Sequence, residues 1–120
     1  MERTFILLAA IAGFLGVALG AFGAHGLRAR LSPEMLAVFE TGVRYHLIHA
    51  VAILAVAALM PRFSGWLITS ACWLFLVGIV LFSGSLYLLA VTGVTILGAI
   101  TPLGGLAFLA GWACLAFAAI

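Results

Sequence analysis

Apolar residues dominate this chain in four long runs, and the few polar side chains fall between those runs or near their edges. The runs cover about 4–24, 33–60, 66–91 and 96–120. A helix needs about 20 apolar residues to cross roughly 30 Å of hydrocarbon, so each run predicts one membrane-spanning helix. The second opens on Ser32-Pro33-Glu34: a hydroxyl cap, a proline in the first turn and an early acid, which together mark a helix start. Pro61 and Gly65 bracket the turn to the third run, and Val91-Thr92-Gly93-Val94-Thr95 forms the turn to the fourth. The first run, with Arg3 ahead of an apolar core, has the outline of a signal peptide. Three further apolar runs follow it, which makes a first membrane helix the better reading. The expectation is one all-α domain over residues 1–120, an integral membrane four-helix bundle.

Composition strengthens this picture. The chain is 68% hydrophobic and 7% charged, with a mean hydropathy of +1.42. A soluble domain carries about 25% charged residues, so too few polar side chains are present to cover a water-facing surface. The lipid bilayer is the implied partner. The formal charge of +2 is small and spread along the chain, which gives a nucleic acid no footprint. Cys72 and Cys114 form no CxxC pair and read as small hydrophobes. No cofactor motif is present in the pattern.

Glycine recurs on the first helix at Gly13, Gly16, Gly20, Gly23 and Gly26. Steps of three and four keep these on one face, and Gly16 to Gly20 is a GxxxG match. Such a stripe lets another helix approach closely where the hydrophobic effect is absent. The expectation is helix packing, with a homo-oligomer through the glycine-rich faces as one use of it. The other use is a backbone surface lining the path of a small solute.

Depth then sorts the polar residues. With four spans, the connections after the first and third helices lie on the same side. His25, Arg44, Tyr45, His46, His49, Ser83, Ser85, Tyr87, Thr101 and Pro102 are expected within about 10 Å of that interface, with Trp66, Thr69, Ser70 and Trp112 towards the other. A second helix starting at Pro33 reaches roughly 40 Å, so Glu34 and Glu40 fall at or outside the boundary and Arg44 near it. Glu40 and Arg44, four apart, share one face. His46 and His49 share another, with His49 about opposite Glu40 at 100° per residue. Polar groups at membrane depth face a bundle interior or a water-filled cavity, so helix two is expected to be central or to meet another protomer.

Three readings of chemistry follow, and the first two are weak. His46 and His49 have no acid or thiolate at ligand spacing, so no metal is expected. Ser83, Ser85 and His46 lack an acid to orient the histidine, so no nucleophile triad is expected either. Thr101-Pro102-Leu103-Gly104-Gly105 leaves two options open: a broken helix that coordinates a ligand, or a kink relieved by neighbouring hydroxyls.

Four segments carry a resemblance: Gly20-Ala-Phe-Gly-Ala-His-Gly-Leu27, Phe39-Glu-Thr-Gly-Val-Arg-Tyr-His-Leu-Ile-His49, Leu81-Phe-Ser-Gly-Ser-Leu-Tyr87 and Gly98-Ala-Ile-Thr-Pro-Leu-Gly-Gly105. Together they resemble the small bacterial inner-membrane family called "domain of unknown function 423", over nearly the whole chain. The resemblance implies a multi-pass location in the inner membrane and carries over no catalytic or binding residue.

The functional expectation is a non-enzymatic protein of packing, assembly, or lipid or partner binding. The alternative is an oligomeric transporter or channel for a small solute, ion or proton, with an intramembrane enzyme third. Arg3 and Arg62 mark one side, Arg28, Arg30 and Arg44 the other, which leans the His25 side towards the cytoplasm.

Overall fold

The computed structural model describes residues 1–63 and 65–120. The middle of the Pro61–Gly65 turn, Ser64, lies outside the described residues. Among the described residues every regular element is helical, and four helices are long and apolar enough to cross a membrane: Glu2–Leu27, Pro33–Leu59, Trp66–Thr92 and Thr95–Ala119. These are helices one to four below. The chain is a four-helix membrane bundle.

Helix two starts as its sequence dictates. The Ser32 hydroxyl accepts the Met35 N–H at 3.2 Å and Pro33 occupies the first turn, where its missing N–H is no loss. Helix three ends on Gly93, whose φ of +73° is a left-handed cap that disfavours other residues. Helix four enters through a 3₁₀ turn at Thr95–Ala99 before the α-helix of Thr101–Ala119 begins. Pro102 therefore sits in the first turn of that α-helix, where its missing N–H is no loss. Two stretches widen into π-helix, Gly23–Leu27 at the end of helix one and Ile79–Ser83 inside helix three. Both fall in segments that carry the family resemblance.

The four helices are not equivalent. Helix one packs on helix two, two on three, and three on four. The molecule measures 47 × 25 × 18 Å, and a helix with side chains is about 10 Å across, so the bundle is roughly two helices deep. Helix two is the most buried of the four and helix four the least. Phe5, Ile53, Cys72 and Phe75 form the solvent-free centre of the main apolar core, and Phe39 with Leu27 and Ala90 forms a smaller one near the His25 end.

What holds the helices together is a set of glycine sockets for large side chains. A Cβ on Gly16 would meet Leu47 and His46, one on Gly20 would press on Val43, and one on Gly23 would strike the Phe39 ring. Helix two thus fills the glycine stripe within the chain. Gly13, by contrast, faces open space. Helices three and four exchange the same device: Gly78 receives Phe108 and Gly111 receives Phe75. At Gly104 the approach is closer still, since a Cβ there would overlap the Phe82 backbone. In lipid, where apolar burial drives little association, this close dispersion contact is the main attraction between helices.

Candidate functional site

Gly16 against His46, Gly20 against Val43 and Gly23 against Phe39 set the depth scale between helices one and two. His46 stands midway between Pro33 and Leu59, about 20 Å from either end at 1.5 Å per residue. His46 therefore lies at the middle of helix two, with His49 one turn nearer its Leu59 end.

His46 is buried, and both its ring nitrogens are engaged. Nε2 donates to the Ala12 carbonyl of helix one at 2.7 Å. A carbonyl only accepts, so Nε2 carries the proton and Nδ1 of the neutral ring is an acceptor. The Tyr87 hydroxyl of helix three donates to it at 2.8 Å. One imidazole thus ties helices one, two and three.

His49 is the mirror case. Its Nδ1 donates to the Tyr45 carbonyl one turn back on its own helix at 2.8 Å, which leaves Nε2 as acceptor. Trp112 Nε1 of helix four donates to that nitrogen at 3.1 Å. The ring lies flat on Phe108, centroids 3.7 Å apart and planes at 11°, with Phe75 at 5.3 Å. Gly78 and Gly111 make room for those two phenylalanines, so the glycine sockets position the histidine's surroundings.

Three hydroxyls complete the interior. Ser83, fully buried at the end of the π turn, donates to the Gly42 carbonyl of helix two at 2.7 Å. Ser85 pairs with Thr101 at 2.6 Å, joining helix three to the start of helix four. Gly42 leaves space for the Tyr87 ring, which also packs on Phe39. Among the described residues, every buried side-chain nitrogen and oxygen has a partner.

The structure therefore joins His46 with Tyr87, His49 with Tyr45, Ser83 with Gly42, and Ser85 with Thr101. It does not bring His25, Glu40, Arg44 or Pro102 to them: all four are exposed. Trp112, expected towards the other side, is partly exposed and donates to His49 across helices two and four. Among the described residues no three His, Cys, Asp or Glu side chains converge. Both cysteines are free thiols: Cys72 is buried in the main apolar core and Cys114 is half-buried.

Four apolar spans around a small, internally satisfied polar core define a multi-pass integral membrane protein. The chain belongs to the family described as "Protein of unknown function (DUF423)", which matches residues 19–105. It is 52% identical over 119 residues to "UPF0382 membrane protein YwdK" of Bacillus subtilis (strain 168), covering 98% of this chain and 97% of that one. It is 45% identical over 120 residues to "UPF0382 inner membrane protein YgdD" of Escherichia coli (strain K12), covering 99% and 91%. "UPF0382 membrane protein SH2409" of Staphylococcus haemolyticus is 44% identical over 113 residues, covering 92% and 89%. No solved structure matches the chain. The protein resides in the bacterial inner membrane.

Proposed function

We propose that this is a non-enzymatic membrane protein whose interior serves to hold four helices in one register and whose outer surface does its binding, of lipid or of a partner helix. The observation that carries this reading is that, among the described residues, every buried side-chain nitrogen and oxygen has a partner. Each histidine has one fixed acceptor and one fixed donor, so neither ring offers a free nitrogen to a metal, a substrate or a passing proton. A buried polar group with a unique partner specifies register at modest net energy, about 0.6 kcal/mol per membrane hydrogen bond on average. Self-association belongs to the same reading. Its surface is the outer ridge of helix four, where Leu103, Ala110 and Phe117 recur every seven residues and are exposed, because helix two occupies the glycine stripe.

Thermal unfolding and gel filtration of His46→Ala and His49→Ala in detergent test the proposal. Both variants are expected to melt earlier than the parent or to lose its elution position. Parent-like melting of both would sink the structural role. Solute flux in proteoliposomes that either substitution abolished would replace it with transport.

A further inference from the structure

The interior uses its own polar groups, but Glu40 and Arg44 remain outside it. Buried Phe39, Gly42, His46 and Ile53 define the inward face of helix two. At 100° per residue Arg44 stands about 160° from His46, on the face pointing away from the bundle with Ile48 and Val51, which are 51% and 65% exposed. Depth is set by Gly20 facing Val43 and Gly23 facing Phe39: both charges lie level with the last turns of helix one before His25. Side chains on a helix lean towards its N-terminus, and the N-terminus of helix two is at that interface. Arg44 and Glu40 therefore lean together towards the headgroups, one turn apart, with bilayer in front of them.

Beside them runs a groove. Tyr45, the next residue after Arg44 and 39% exposed, walls an apolar hollow of about 550 Å³ between helices two and four. The hollow runs from Pro102 past Leu106 and Leu109 to Trp112, about 15 Å along helix four at 1.5 Å per residue. The His49 and Trp112 ring nitrogens on its wall are already bonded, which leaves the Tyr45 hydroxyl as its one other side-chain polar group. Such a hollow takes hydrocarbon rather than an ion.

We infer that this surface holds one phospholipid whose headgroup carries both a phosphate and an ammonium, with an acyl chain in the groove and the headgroup over the Glu40/Arg44 pair. The inference rests on the reading of the outer surface as the binding surface. The guanidinium takes the phosphate through paired N–H donors, and the carboxylate takes the ammonium. A headgroup with phosphate alone would set its charge beside the Glu40 carboxylate, so charge complementarity selects the zwitterion. The competing arrangement is a lipid-indifferent pair in which Glu40 and Arg44 neutralise only each other.

Bromine quenching of Trp112 distinguishes these. A Trp66→Phe/Trp73→Phe background leaves Trp112 as the sole indole, at the end of the groove. It is reconstituted into vesicles of equal phosphatidylethanolamine and phosphatidylglycerol, with bromine on the acyl chains of one lipid or the other. Brominated phosphatidylethanolamine is expected to quench about twofold more, the scale of one exposed ion pair. Glu40→Gln removes that preference and Arg44→Gln weakens quenching by both lipids. Equal quenching in the parent overturns the proposal, as does a preference that survives both substitutions. Detergent melting of these exposed-site variants stays at the parent value. A failure here leaves the interior reading standing, because that reading is tested at His46 and His49 by a different measurement.

Discussion

The two histidines at the centre of the bundle are three residues apart on one helix, yet they are held in opposite ways. His46 carries its proton on Nε2 and spends it on the backbone of another helix, while a hydroxyl answers Nδ1. His49 carries its proton on Nδ1 and spends it within its own helix, while an indole answers Nε2. The difference matters because the first proton ties two helices together, whereas the second is used within one helix. The His46 knot binds three helices, and the Ala12 carbonyl fixes the direction of both its bonds. The His49 knot binds helix four alone, through one bond of fixed direction, and relies on its stack with Phe108 for the rest. Helix four is the least buried of the four, and its main attachment is its packing on helix three through Gly78, Gly104 and Gly111.

The largest test of this contrast is removal of the rings. His46→Ala takes out a buried side chain and the link among three helices, with an expected loss of about 2–4 kcal/mol. Chemical or thermal unfolding in detergent measures it. His49→Ala is expected to lose less, since Trp112 is 46% exposed and settles into the adjoining groove. The reverse order would break the comparison.

Gly78→Val comes next. A Cβ at that position already overlaps Phe108, so the phenylalanine must move off His49 and the bundle loses about 1–3 kcal/mol. The Trp112 emission of the Trp66→Phe/Trp73→Phe background should shift with it. An unchanged spectrum would mean that the stack with Phe108 does not hold the His49 knot.

Tyr87→Phe leaves His46 Nδ1 buried without a donor and is expected to lower stability by about 1 kcal/mol, towards the upper end for membrane hydrogen bonds. Trp112→Phe is the smallest effect, about 0.6 kcal/mol or less. Denaturant midpoints for the two, compared side by side, would show whether the knot of three helices is the stronger.

The tautomers themselves are open to direct observation. In ¹⁵N-histidine-labelled protein in bilayers, solid-state spectra are expected to show one buried ring protonated on Nε2 and one on Nδ1, with the first losing its shift in Tyr87→Phe. Two rings of the same tautomer would contradict the assignment for one of them.

Much of this architecture is written locally. The four spans, the cap at Ser32 and the turn at Gly93 follow from runs of apolar residues and from single residues with strong backbone preferences. The glycine stripe of helix one was legible by spacing, and three of its members do meet helix two. Gly78, Gly104 and Gly111, isolated among large apolar residues, gave no stripe to read, although they seat Phe108, the Phe82 backbone and Phe75. Polar residues were legible as a group but not as partners. Tyr87 and Trp112 stand far from the histidines in sequence, and spacing along one helix does not show which face of another it meets.

Hydropathy and turn chemistry alone determined that the chain crosses the bilayer four times, because hydrocarbon leaves a backbone of this length and composition little choice but the helix. Which histidine nitrogen bears the proton, and which charges stay outside, only the tertiary structure decided. Those properties depend on the rotation of each helix about its axis, and that rotation is set by which side chain finds a glycine opposite it.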